Sequence, residues 1–203
     1  VARTSRSPVA LGFRCHSGWA VLVALRGPLD APGVALRRRV ELSHKTPRQP
    51  FHAAEGQPFK QAEALIRRSV DEARGLAARA VRGAVDELAA AGHRVRASGL
   101  LLAAGRPLPG LAQILESHAL IHAAEGEMFR DAVREGSLGC GLPVTAVKER
   151  ELGDRCASAL RQPAAALQAR VAGWGRELGP PWRQDEKLAA LVAWLALADR
   201  KNR

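Results

Sequence analysis

Tyrosine is absent from this 203-residue chain, and aromatics are scarce altogether, with four Trp and four Phe. The interior must therefore come from Leu, Val, Ile and Ala. Cysteine is limited to Cys15, Cys140 and Cys156, an odd number without a C-x-x-C spacing. That argues against a disulfide framework and against a zinc knuckle, and it fits a reducing cytosol. Long apolar runs are missing too. The longest, Leu188 to Ala198, falls far short of the about 20 residues a membrane helix needs. The apolar stretch after Pro8 is interrupted at Arg14 before it reaches signal-peptide length. A soluble, cytoplasmic protein is expected, with no membrane partner.

Lysine occurs only at positions 45, 60, 148, 187 and 201, while Arg, Ala, Gly and Leu abound. This bias suggests a high-GC bacterial genome, and Val1 then reads as a GTG start codon translated literally. The chain is 47% hydrophobic and 25% charged, a globular balance. Its net charge is +11, and the distribution is uneven. Residues 1–50 carry nine Lys/Arg against two Asp/Glu, centred on Arg3, Arg6, Arg14 and the run Arg37-Arg38-Arg39. Such a patch attracts polyanions, DNA or RNA above all; the alternative is a plain basic surface.

Two β-prone runs, Val9–Phe13 and Trp19–Leu25, stand around a Ser17-Gly18 turn and predict a hairpin. Val34–Leu42 mixes apolar and charged residues in rough alternation, as a third strand with one wet face does. Ser43–Pro58 has three Pro and no period, and reads as a loop. From Phe59 a helical stripe runs to Gly92, its C-terminal stop, with Gly75 and Gly83 as places where it could bend. Val95–Ala104 reads as a buried strand, Leu111–Val133 as one helix, Leu142–Val147 as a fifth strand, and the rest as helices divided by Pro163 and Gly179-Pro180-Pro181. The expected architecture is one α/β domain: a flexible basic arm over residues 1–8, a sheet core with two long helices over 9–148, and a helical part over 149–203.

Leu11-Gly12-Phe13-Arg14 followed by Gly18-Trp19-Ala20-Val21, the strand leading to Lys148, and Asp185 ahead of an Ala-rich helix resemble the RNase H-like superfamily, most closely its Holliday-junction resolvase branch. The resemblance implies a central mixed five-stranded sheet, with three antiparallel N-terminal strands and then alternating helices and strands. It also implies acidic residues on the first and fourth strands and the last helix, holding two divalent metals for phosphodiester hydrolysis. Here Arg14 stands where the first Asp would fall, Ala103 and Ala104 stand in place of the second acid, and only Asp185 matches. A guanidinium among the ligands would repel divalent metals. Asp185 has a second reading, as the N-cap of its helix.

On one continuous helix, His118, His122 and Glu125 fall on the same face as Leu111, Ile114, Leu115, Ile121, Met128 and Phe129, with Glu116, Glu127 and Arg130 opposite. Three titratable groups on a buried face need partners. They could bond one another, bind a divalent metal, or line a cleft in which one His acts as general acid or base, His16 approaching from the hairpin turn. Lys148-Glu149-Arg150-Glu151 follows a strand, where ligands of α/β proteins collect, or else forms a solvated first helical turn. Cys140, with no base near it in sequence, reads as inert. Trp182 and the 44–59 loop read as core anchors, with base stacking as the alternative.

Three functions remain. The leading expectation is a nucleic-acid-associated protein on an RNase H-like scaffold without the three-carboxylate site, using Arg14, His16, Arg37, Arg38, Arg39, Lys148 and Arg150. The second is an enzyme with a non-standard site built from His118, His122, Glu125 and Asp185, with a divalent metal as the candidate cofactor. The third is a non-catalytic protein-interaction domain.

Overall fold

Three strands open the chain, joined by short turns. In a computed structural model, describing residues 7–103, 105 and 107–199, β1 (Pro8–His16), β2 (Trp19–Arg26) and β3 (Gly33–Glu41) pair antiparallel. The hairpin turn is the Ser-Gly pair expected. Arg14, Cys15 and His16 belong to β1, and only Ser17 and Gly18 turn, Gly18 at φ +80°. β4 (Arg94–Leu102) pairs parallel to β1, and β5 (Val144–Lys148) pairs parallel to β4. The sheet order is β3-β2-β1-β4-β5, the mixed five-stranded sheet anticipated above.

Alternation along β1 decides what covers each face. Val9, Leu11, Phe13 and Cys15 point into a core shared with helices α2 (Phe59–Ala90) and α4 (His118–Gly139). The helix α2 runs unbroken through Gly75 and Gly83, and its buried stripe of Ala62, Ile66, Ala73, Ala77, Val81, Ala84 and Leu88 keeps the 3–4 spacing of an amphipathic helix.

The other face is covered by α5 (Leu152–Leu160), α6 (Ala164–Leu178) and α7 (Gln184–Ala198). The helix α7 is apolar on all sides and buried accordingly, with Trp194 fully enclosed. It lies directly on the sheet backbone. Gly12 and Gly99 are register partners on β1 and β4, and a Cβ at either would strike α7 main-chain atoms, Ala189 O at 2.0 Å from Gly12 and Val192 O at 2.3 Å from Gly99. Two adjacent glycines thus make a flat seat. The seat sets where the N-terminus of α7, and so Asp185, meets the end of β1.

Two stretches differ from the sequence reading. The 43–58 loop contains a one-turn helix, α1 (Pro50–Ala54), started by its proline. The helix read over 111–133 is two, α3 (Leu111–Leu115) and α4, separated at Glu116 and Ser117. No helix among the described residues is long and apolar enough to cross a membrane.

Candidate functional site

Side chains of alternate parity on β1 point away from the α2/α4 core, so Arg14 and His16 emerge beneath the start of α7. Arg14 Nη2 lies 3.1 Å from Glu149 Oε2 and Arg14 Nε 3.9 Å from Asp185 Oδ1. His16 Nε2 is 3.0 Å from Asp185 Oδ2. Arg14 Nε and His16 Nε2 are both shielded from water without an aligned hydrogen bond, so the Arg14–Asp185 contact is purely electrostatic. Asp185 is not the N-cap of α7. That position is Arg183, whose backbone N–H donates to Glu186 Oε2 at 2.7 Å, leaving the Asp185 carboxylate free to face β1. Glu149 comes from a single 3-10 turn, Glu149–Glu151, just beyond β5. Three segments distant in sequence therefore meet in one ion-pair cluster.

The cluster continues into an arginine-lined groove. The His16 ring stacks on Trp19 with centroids 4.2 Å apart and planes 11° from parallel. The Arg39 guanidinium lies 3.9 Å from the Trp19 ring centroid, and Glu41 bridges Arg39 at 2.6 Å and Arg48 at 3.2 Å. A cavity of about 400 Å³ opens beside this stack, lined among others by Trp19, Arg37, Arg39, Arg183 and Asp185. Arg37 is partly committed within the fold, its Nη1 donating to the carbonyls of Gly179 (2.9 Å) and Pro181 (2.6 Å). Arg38, on the opposite face of β3, pairs with Glu87 of α2. Arg150 is largely exposed and only 3.7 Å from Glu151. The sequence reading missed Trp19 and Arg183 as groove residues. Trp19 stood in the sequence only as part of the second strand, and nothing local to Arg183 marks it as a neighbour of β2 and β3.

On the α4 face of the sheet, Lys148 shares a second cleft, about 500 Å³, with Ala103, Glu127, Arg130 and Asp131. Arg130 is buried and held by Glu127 at 2.9 Å, contrary to its expected place on the solvent side. Burial, and then the neighbouring charge of Glu127, pushes the Asp131 carboxyl above its ordinary range. Burial likewise drives the Cys15 thiol up to about 12, so it is no nucleophile. Ala104, the other residue at the expected position of the second acid, lies outside the described residues.

The trio His118, His122 and Glu125 does not share one environment. Glu125 is 1% exposed, whereas both histidines are exposed in the first turns of α4. The carboxylate of Glu125 accepts the backbone N–H of Phe51 (3.1 Å) and of His52 (3.2 Å), and His52 Nδ1–H at 2.9 Å. His52, from α1, was not singled out in the sequence because the proline-rich loop around it has no period. His118 and His122 meet through their Nε2 atoms at 3.1 Å.

Sheet order, helix placement and the crossing of α7 over β1 define an RNase H-like protein fold. Solved structures carry the same arrangement. The chain superposes on the Thermus thermophilus RuvC structure with a TM-score of 0.55 at 13% identity, covering 92% of each chain. It superposes on T. thermophilus RuvC in complex with a Holliday junction substrate with a TM-score of 0.54, again at 13% identity, over 92% of this chain and 90% of that one. No protein-family model and no curated protein sequence matches. The likeness establishes the fold.

The two metals that the superfamily implies do not fit the residues present. A guanidinium sits among the only two carboxylates of the cluster. Among the described residues, no group of three carboxylates comes within ligand range of a common point. Arg14 supplies internally the positive charge that metals would bring.

Proposed function

We propose that this chain binds nucleic acid, branched DNA foremost, on an RNase H-like scaffold whose hydrolytic metal site is replaced by the Arg14–Glu149–Asp185 ion-pair cluster. One observation carries the reading: the Arg39–Trp19–His16 stack forming one wall of an arginine-lined groove beside that cluster. Guanidinium groups neutralise phosphates, and the Arg39 guanidinium is held in place on the Trp19 ring, whose other partner is the His16 ring. Branched DNA is the first ligand to try because a RuvC of the same fold was solved with a Holliday junction substrate. Binding without cleavage follows from Arg14. A divalent ion entering the cluster would have to displace a guanidinium already paired with both carboxylates.

The test is an anisotropy titration against four-way junction, duplex, single-stranded DNA and RNA, repeated across salt concentrations. Affinity should fall linearly with log salt. Arg39→Ala should reduce that slope by about 1. Trp19→Ala removes the ring on which Arg39 and His16 rest and should weaken binding by about 1 kcal/mol. Incubation of the junction with Mg2+ or Mn2+ should leave it uncut. Absence of salt-sensitive binding to all four ligands refutes the proposal.

A further inference from the structure

We infer that His52, His118 and His122 form a binding site for a borderline divalent cation of the Zn2+ class, a function separate from the groove described above. One ring nitrogen from each of the three lies within 4.8 Å of the others, and the rings meet edge to face with centroids 4.5 to 5.1 Å apart. The 3.1 Å between the Nε2 atoms of His118 and His122 is close to what one metal requires. Two Zn–N bonds of about 2.05 Å at a tetrahedral angle place their nitrogens about 3.3 Å apart. The third nitrogen lies within 4.8 Å of both and has to close in for all three to share one ion.

Glu125 supplies the independent observation. Its buried carboxyl group accepts two backbone N–H groups and lies 2.9 Å from His52 Nδ1, and a ring that donates there keeps its lone pair on Nε2. A carboxylate behind a histidine in this way is the outer-shell arrangement that orients a ligand and raises its basicity. The same carboxylate grips the first turn of α1 through two backbone N–H groups. One helix therefore presents two ligands itself, one turn apart, and holds the third through Glu125. The sequence reading placed Glu125 in the first shell. It lies one bond further out, behind His52.

A mere hydrogen-bond network explains less. His118 and His122 are exposed and have water available, so burial does not oblige them to converge. Three imidazoles with no carboxylate among them favour zinc, cobalt, nickel or copper over magnesium or calcium. Three protein ligands leave a fourth position for water, as in catalytic rather than structural zinc sites.

The experiment uses the full chain without an affinity tag, stripped with chelator and titrated with Zn2+ by calorimetry and with Co2+ by visible absorption. Wild type should take up one ion per chain and show a four-coordinate Co2+ spectrum. His118→Ala and His122→Ala should lose stoichiometric uptake while keeping the metal-free melting temperature, because both side chains are exposed. Glu125→Gln should weaken uptake about 10–100-fold, and His44→Ala, an exposed histidine outside the cluster, should leave it unchanged. Wild type that takes up no ion at micromolar Zn2+, or a His118→Ala/His122→Ala double variant that takes up as much as wild type, overturns the inference. Neither outcome depends on whether the protein binds nucleic acid.

Discussion

Replacing Gly12 by alanine tests the seat on which α7 rests. The added methyl would lie 2.0 Å from the Ala189 carbonyl oxygen and 2.7 Å from the Ala193 nitrogen. Ordinary nonbonded contact begins near ~3.5 Å, so α7 must retreat by about 1.5 Å. No side-chain rotation relieves the clash, because the atoms struck are main chain. Overpacking typically costs 1–3 kcal/mol, and a backbone clash belongs at the upper end, about 3 kcal/mol. Removing a glycine from a strand returns about 0.5–1 kcal/mol, for a net loss of about 2–2.5 kcal/mol. In a chain of this length that lowers the melting temperature by roughly 4–10 °C. Urea unfolding followed by circular dichroism reads the loss directly. Gly83→Ala, in the middle of α2 with nothing within 4 Å of its Cβ, should stabilise by about 0.5–1 kcal/mol. Gly99→Ala repeats the clash against Val192. Once the helix has moved for one methyl it has partly moved for the other, so the double variant should lose less than the sum of the singles. A Gly12→Ala protein with the wild-type urea midpoint would refute the described contact between β1 and α7.

Arg14→Asp places a third carboxylate beside Glu149 and Asp185 and removes the internal cation. The variant should melt lower than wild type in chelator and regain stability with millimolar Mn2+, whereas wild type should not respond to Mn2+ at this site; an unresponsive variant would contradict the charge-replacement reading. Glu72 accepts hydrogen bonds from the backbone N–H groups of His44, Lys45 and Thr46 and from the Thr46 hydroxyl. Burial alone would raise its carboxyl, but these bonds outweigh it and hold the value at about 2, below the ordinary 4.5. Its contribution is therefore complete above about pH 4.5 and lost as pH falls toward 2. Solvent screening limits that contribution to roughly 1 kcal/mol. Glu72→Gln should flatten the acid limb of the stability–pH curve, and an unchanged limb counts against the assignment.

Strand positions and strand order were legible because each strand carries its own period and its own punctuation. The alternation of β1, the Ser17-Gly18 turn and the apolar runs of β4 and β5 are local signals, and tertiary packing did not override them. The break between α3 and α4 was not legible. Glu116 and Ser117 are ordinary helix-surface residues, and nothing in them stops a helix. The break detaches Leu111, Ile114 and Leu115 from the face of α4, whereas His118, His122 and Arg130 lie on one unbroken helix; their exposure and burial depend on what packs against each turn, which a period does not show. The helix α1 escaped for a related reason: five residues are too few to show a period, and its stability comes from the Glu125 carboxylate, 74 residues away in sequence from Phe51.

The candidate sites divide along the same line. Arg14 could be located from sequence because β1 is identifiable and its last turn-facing residues are countable. Asp185 was set beside it only by the resemblance, and Glu149 was singled out for following a strand; the contacts themselves could not be read, since both residues arrive from β5 and α7 by long crossovers. Charge explains why the cluster is self-consistent. Two carboxylates at the carboxyl end of a parallel strand pair favour a cation, and the Arg14 guanidinium lies 3.1 Å from one and 3.9 Å from the other. Beside them Arg39 is answered by Glu41, and Arg37 by the carbonyls of Gly179 and Pro181. Under the proposed function these are separate features: the ion pairs of Arg14 bear on metal entry and the arginines of β3 on phosphate, so substitutions at Arg14 and at Arg39 should be separable in their effects.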